Sequence, residues 1–131
     1  MALLAKLKIN STDYSLYECE YSFTQATDIT GRPSDRPRGG VIHLTIMSLS
    51  DRDLFFHKWM RDRDTLHDGE IIFPINYNGG VAEKKLRFKD AYCVGLHEHY
   101  VKGEVDAMSM KLTIAAGSIT FGNDCEFKLI D

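Results

Sequence analysis

The stretch Tyr17–Gly40, YECEYSFTQATDITGRPSDRPRGG, joins a strand pattern to a long polar segment. Its beginning, YECEYSF, alternates aromatic or apolar side chains with polar ones, which predicts a half-buried strand with Tyr17 and Cys19 on one face. From Gln25 to Gly40 the alternation stops, and Ile29 is the one aliphatic side chain larger than alanine. Prolines, glycines and short polar side chains favour turns there. Such a long loop in a compact chain is usually either functional or a disordered connection.

The remainder of the chain alternates in the same way, and one helix is predicted near the middle. Ser50 is the expected N-cap of a helix over residues 51–61, with aromatic side chains at spacings that suit a docked face. The Asn78-Gly79-Gly80 sequence predicts a hairpin turn. Near Gly95 a bend is expected, with Leu96 on the face opposite Cys93. The predicted strands are about 5–9, 14–23, 41–49, 70–76, 84–100, 107–116 and one or two short ones after residue 118.

This pattern predicts a mainly β protein: an antiparallel two-sheet barrel of seven to eight strands, with a short α-helix on the outside and a long extended loop. The 131 residues suffice for a single domain over 1–131. A net charge of −3 argues against a nucleic-acid partner. No apolar run approaches the length of a membrane span, and MALLAKLKIN does not resemble a signal peptide. Three separated cysteines are expected to be free thiols in a reducing compartment.

The pair His97 and His99 is the main chemical feature. Residues two apart on a strand share a face, and with Glu104 the pair partly imitates a cupin metal motif. No histidine follows His99, and zinc or iron needs at least a third ligand. His43 on another strand could supply one, but nothing in the sequence requires it. The expectation is therefore no cofactor, no catalytic residues and no metal, with His97 and His99 as weak metal candidates. A small metal- or ligand-binding barrel, cupin- or lipocalin-like, stays the alternative.

A family resemblance adds to this. The pattern Y-x-F-x-Q-x-x-D-x-x-G-R-P-S-x-x-P-x-G-G over residues 21–40 resembles the haemolysin-coregulated protein family, the inner-tube proteins of type VI secretion systems. The segment FKDAYCVGLHEHY, residues 88–100, is similar to a long strand of that family, although its histidines depart from the family pattern. A phage-tail-tube-like protein would share the architecture and is the second alternative.

The resemblance implies a structural protein rather than an enzyme. Six subunits would close a ring, and rings would stack into a tube that a contracting sheath expels behind a spike, carrying effectors in the lumen. The protein would assemble in the cytoplasm and leave without a signal peptide. Polar alternate positions on residues 84–100 and 107–116 are lumen candidates. The interface residues implied in the long loop, 25–40, are Gln25, Asp28, Gly31, Arg32, Pro33, Ser34, Asp35, Arg36, Pro37 and Arg38. Candidate acidic partners for this basic loop are Asp51, Asp53, Asp62, Asp64 and Glu70.

Overall fold

The computed structural model describes residues 5–34, 38–48, 54–102 and 108–129. Within these ranges the chain forms eight strands and one helix, which confirms the predicted mainly β class. In chain order they are β1 (Lys6–Ile9), β2 (Thr12–Thr24), β3 (Arg38–Met47), α1 (Phe55–Arg61), β4 (His67–Tyr77), β5 (Gly80–Tyr100), β6 (Met108–Ala115), β7 (Ser118–Phe121) and β8 (Cys125–Lys128).

All strand pairings are antiparallel, in the order β4-β1-β2-β3-β6-β5-β7-β8, and an additional β4–β5 pairing closes the barrel. Two long strands, β2 and β5, belong to both walls. The first sheet contains β1, β4, β7, β8, the start of β2 and the first half of β5. The second sheet has the order β2-β3-β6-β5 and uses the later part of β2 and the second half of β5.

Bulges in the long strands change which residues face the core. On β2, Leu16 pairs with Ile46 and Glu18 with Thr45, so Tyr17 is an extra residue. An extra residue reverses the side-chain alternation. Tyr17 is 58% exposed, and its predicted place on the face of Cys19 is wrong.

A bulge also changes the side-chain alternation on β5. Cys93 pairs with Ile114 and Gly95 with Thr113, which leaves Val94 as the extra residue. Leu96 therefore packs against the core on the side of Cys93, and the predicted opposition of these two side chains is wrong. The bend expected near Gly95 is present as this register shift.

Helix α1 begins at Phe55, later than predicted, and its expected cap and first turn at residues 50–53 lie outside the described residues. The helix buries Phe56 and Trp59 in the barrel core. The Phe56 ring lies 4.9 Å from that of Tyr14, edge to face. The Trp59 indole donates to the Thr65 carbonyl at 3.1 Å. Both side chains are therefore held by tertiary contacts, and a helix this short depends on such contacts for its stability.

The turns follow the sequence chemistry closely. Asn78 and Gly79 both have positive φ, 49° and 79°, as a type I′ hairpin turn requires. Asn10 and Ser11 make the same kind of turn between β1 and β2. The loop was expected to extend to Gly40, but β3 begins at Arg38. Gly39 and Gly40 form part of that strand, and Gly40 adopts φ +86°.

Candidate functional site

The long loop is not structureless, because residues 26–34 fold into a small hairpin, called here the loop hairpin. The Asp28 amide donates to the Arg32 carbonyl at 2.8 Å, and the Ser34 amide donates to that of Ala26 at 2.8 Å. The Gly31 amide donates to the Asp28 carbonyl at 3.0 Å, and Gly31 has φ +86°. This is a three-residue hairpin turn with glycine in the left-handed position. The motif residues therefore build a defined shape.

Asp28 organises the tip of the loop hairpin. Its Oδ1 accepts from the Thr30 hydroxyl at 2.7 Å, the Thr30 amide at 2.9 Å and the Arg32 amide at 3.1 Å. The Thr30 hydroxyl bond first, and then the backbone amides, lower the pKa of the Asp28 carboxyl. An ionised aspartate accepting several local donors is a turn device. Asp28 was predicted as an interface residue, and its contacts here are within the loop.

The loop hairpin makes a protruding surface. Predicted interface residues Gln25, Asp28, Gly31, Arg32, Pro33 and Ser34 are all exposed. Asp35, Arg36 and Pro37 lie outside the described residues, and Arg38 pairs with Thr24 at the start of β3. Ile29, at the tip, is 101% exposed. It was not among the predicted site residues, although its isolation as an aliphatic side chain in a polar loop was the available signal.

An aromatic cluster fixes the base of the loop. The Phe23 ring stacks on Phe127 at 4.2 Å and meets Phe121 edge to face at 6.1 Å. A Cβ on Gly39 would lie 2.4 Å from the Ser22 carbonyl oxygen, and one on Gly40 would lie 2.4 Å from the Leu129 side chain. The strand root therefore needs glycine at both positions, which holds the loop close to β8 and its aromatic neighbours.

The outer face of the second sheet, meaning the side away from the core, is polar over two cross-strand rows and apolar in the next row, which holds Val41, Ala115 and Tyr92. Its cross-strand rows follow from the register. One row holds Glu18, Thr45, Lys111 and His97, and the next holds Glu20, His43, Thr113 and Gly95. His43 Nδ1 lies 3.2 Å from the Thr113 hydroxyl. A shallow depression of about 250 Å³ lies along these rows. The opposite face of the same strands carries the buried side chains of Ile42, Leu44, Leu112 and Ile114.

His97 and His99 are both exposed on this outer face. Their cross-strand neighbours on β6 are Lys111 and Ser109. His43 belongs to the row of Gly95, one step along the strands. Within the described ranges no group of three or more metal-ligating side chains forms. A lysine ammonium beside His97 disfavours a cation there, so these residues do not assemble a metal centre within one subunit.

A polar cluster, called here the helix latch, ties α1 to the second sheet. His57 Nε2 donates to Glu98 Oε1 at 2.7 Å, and the Ser48 hydroxyl donates to Glu98 Oε2 at 2.6 Å. The Ser48 bond, and then His57, lower the pKa of Glu98. His57 Nδ1 is buried and has no partner in the described part of the chain. The serine and histidine both bind the carboxylate rather than each other, so the cluster lacks the geometry of an activated nucleophile.

The three cysteines Cys19, Cys93 and Cys125 are free. Burial raises the pKa of Cys19 to about 11. Burial also raises the pKa of Cys93, whose thiol donates weakly to the Gly95 carbonyl at 3.6 Å. A raised pKa disfavours the thiolate, which is the reactive form. Cys19 and Cys93 therefore serve as small core side chains.

The fold and the comparisons together define the class: a structural protein of tube assemblies rather than an enzyme. The family model described as haemolysin-coregulated protein Hcp (TssD) matches residues 1–128. The chain belongs to the Hcp (TssD) family. This membership confirms the resemblance carried by the loop motif and takes the place of the cupin- or lipocalin-like alternative. Among curated proteins none matches the chain significantly.

Solved structures share the fold. Hcp1 from Flavobacterium johnsoniae superposes with a TM-score of 0.77 at 28% identity, over 96% of this chain and 99% of that one. Hcp3 from Pseudomonas aeruginosa, a secreted protein, gives 0.64 at 8% identity, over 99% and 100%. A chain of the sheath–tube complex of an extracellular contractile injection system, PVC, gives 0.53 at 11%, over 91% and 88%. In the described part of this chain no helix is long and apolar enough to cross a membrane.

Proposed function

We propose that six copies of this chain close into a ring, and that rings stack into the inner tube of a type VI secretion system. Sheath contraction expels this tube together with the spike at its tip, and effectors travel in the lumen. Assembly takes place in the cytoplasm, and export needs no signal peptide. The observation that carries the proposal is the second sheet, which has an unpaired edge on each side within the described part of the chain.

Both edges follow from the register. Beyond Ser15, no described strand pairs with β2 on the side away from β3. From Tyr92 to Tyr100, β5 pairs with β6 alone among the described strands. Exposed strand edges favour pairing with another chain. The two edges are different surfaces, so their contact is head-to-tail, and head-to-tail contacts generate rings when the rotation closes.

Strand direction supports continuation of this sheet around the ring. The second sheet has the order β2-β3-β6-β5, and each neighbouring pair is antiparallel. With four alternating strands, β5 runs opposite to β2. In a rotationally symmetric ring, β5 of one copy therefore meets β2 of the next copy in the antiparallel sense, the same as inside the subunit. A continuous antiparallel sheet leaves no edge unpaired.

The outer face of the second sheet would then line the lumen. Two of its rows carry mainly charged and hydroxyl side chains, as the Glu18–Thr45–Lys111–His97 row illustrates, while Val41, Ala115 and Tyr92 form an apolar row beside them. A polar wall allows a hydrated cargo to pass without burying apolar surface. The polar alternate positions expected on residues 84–100 and 107–116 are represented here by His97, His99, Lys111 and Thr113.

Stacking is assigned to the loop hairpin. It extends from the end of β2, while a groove of about 550 Å³ lies at the beginning of β2, beside Asp13, Asp68 and Glu70. Glu70 already pairs with Arg87 at 3.0 Å, and Asp62 with Arg61 at 3.3 Å. Lys8, Arg87 and Lys89 also line the groove, so its charges balance, and the groove is the proposed receptor for its shape rather than for a net negative charge. Arg32 and the exposed Ile29 would enter this groove on the adjacent ring. Pro33 lowers the entropy lost on docking.

Light scattering and negative-stain electron microscopy of the purified protein test the ring. The expected mass is six times that of the 14.9 kDa chain, and the images should show a ring with a central hole. A monomer at every concentration that keeps the chain soluble would contradict the proposal.

Charge reversal tests the stacking contact separately. Arg32→Glu should shorten or abolish tubes while leaving the ring mass unchanged, because Arg32 lies in the loop hairpin beyond the end of β2 and not within either edge strand. Arg63→Glu, the same change on the exposed connector after α1, is the matched control and should leave tube length unchanged. Full-length tubes with Arg32→Glu would rule out this role for the loop.

A further inference from the structure

We propose that the joint between ring subunits is a proton-sensitive histidine–glutamate seam. In it, His97 and His99 on β5 of one copy face Glu18 and Glu20 on β2 of the next copy. This inference rests on the proposed ring, and it names the chemistry of the contact. The seam tightens as the pH falls from about 8 to about 6, the range over which imidazole side chains take up a proton.

The four side chains lie where such a seam needs them. His97 and His99 are exposed on the outer face of one unpaired edge strand, and Glu18 and Glu20 are exposed on the same face of the other edge strand. Each pair has the spacing of two that keeps both members on one face. One edge therefore offers two potential cations and the other two anions, a complementarity that fits a second copy of this chain.

The histidine–glutamate pairing between copies is possible in two different registers of β5 against β2. Within the subunit, Glu18 and His97 occupy the same cross-strand row. If rows continue directly into the next copy, His97 meets Glu18. If rows are offset by two residues in the direction that strand tilt can produce, His97 meets Glu20 and His99 meets Glu18. Diagonal neighbours about 7–8 Å apart still reach each other through long side chains.

Other polar and charged side chains lie beside the four seam residues within the same subunit. Lys111 is the cross-strand neighbour of His97, so a positive side chain already lies beside that ring within one subunit. His43 is the cross-strand neighbour of Glu20 and can itself pair with that carboxylate inside one subunit. Ser109 faces His99, while Glu98 lies on the other side of β5 in the helix latch. A carboxylate from the next copy is thus the group that favours protonated His97.

The sign of the pH dependence follows from linkage. A glutamate across the seam favours the charged imidazole, so the histidine pKa is higher in the ring than in the free subunit. The resulting stabilisation is fully present below the free-subunit value and is lost as the pH rises through the ring value. Each one-unit rise corresponds to about a tenfold change per contact. The seam fails again at low pH, where the glutamates are protonated.

The experiment measures ring dissociation against protein concentration at pH 6 and pH 8, both with and without EDTA, so that metal bridging can be recognised. Wild type should give rings at least about tenfold more resistant to dilution at pH 6. The double variant His97→Gln/His99→Gln should lose this pH dependence, and so should Glu18→Gln/Glu20→Gln. Glu83→Gln is the matched control, since Glu83 is an exposed carboxylate on the first-sheet half of β5, away from the seam, and it should retain the dependence.

The outcomes separate the two proposals. Rings whose dissociation is equal at both pH values, or rings whose pH dependence survives in the two double variants, would overturn the seam and leave the ring intact. The absence of rings at both pH values would overturn the ring, and the seam with it. Rings that instead tighten as the pH rises, and do so only without EDTA, would indicate metal ligation by neutral histidine and would also overturn the seam.

Discussion

The two faces of the second sheet differ sharply although the same strands build them. The inner face carries Ile42, Leu44, Leu112 and Ile114, each 0–2% exposed. The outer face carries Glu18, His43, Lys111 and His97, set between those residues along the strands. The inner face is completed by the subunit itself, through α1 and the first sheet. The outer face and the two edges find no comparable cover in the described part of the chain.

The difference between the two faces indicates that one set of residues stabilises the subunit and another set is available for association between subunits. Fully buried aliphatic side chains contribute about 1.5–3 kcal/mol each to folding. Exposed polar residues on a sheet usually contribute within about 0.5 kcal/mol. Substitutions on the inner face should therefore act on subunit stability, whereas substitutions on the outer face and edges should act on association.

The largest expected effect compares two adjacent residues of β6. Leu112→Ala removes a 1% exposed side chain from the core and should lower the free energy of unfolding by about 2–5 kcal/mol. Lys111→Ala, on the outer face, should change it by less than about 0.5 kcal/mol. Denaturant unfolding at two protein concentrations measures both, since a subunit effect is independent of concentration and a ring effect is not. Equal decreases in the free energy of unfolding of the two variants would refute the separation of folding residues from association residues.

A smaller effect is expected at two glycines that differ only in their surroundings. Gly40 and Gly31 both have φ +86°, but an added Cβ collides with Leu129 at Gly40 and meets open space at Gly31. Gly31→Ala should cost about 1 kcal/mol of backbone strain. Gly40→Ala adds overpacking of about 1–3 kcal/mol to that strain. Thermal unfolding ranks the two, and a Gly31→Ala variant as unstable as Gly40→Ala would contradict the steric argument.

Much of the fold is predictable from alternation and turn chemistry. The Asn78-Gly79 turn and the inward faces of β3 and β6 follow directly from the sequence, because turn type and strand period are local properties. The faces near Tyr17 and Leu96 were mispredicted, since a bulge reverses the alternation. The spacing of three between inward residues such as Leu16 and Cys19 was the signal.

The candidate site is less predictable than the fold. The loop was identified from its composition and family motif, but its hairpin depends on Asp28 accepting several donors in a three-residue turn, which composition does not reveal. The edges of the second sheet depend on which strands pair at long range. The helix latch joins Ser48 and Glu98, which are 50 positions apart, so it has no local signal at all.

The smallest effect concerns Glu98, which lies between His97 and His99 in sequence but on the opposite face of β5. Its pKa is lowered by the Ser48 hydroxyl and then by His57, so its contribution is present above the ordinary glutamate range and is lost as the pH falls through its lowered value. Glu98→Gln should therefore destabilise the subunit by about 1 kcal/mol at pH 7, and the difference from wild type should shrink as the pH falls below the ordinary glutamate range. His99→Gln, on the outer face, should leave subunit unfolding unchanged as the pH falls. Unfolding curves collected from pH 3 to pH 7 decide the point, and a Glu98→Gln deficit that is undiminished at pH 3 would show that packing rather than charge holds the helix latch.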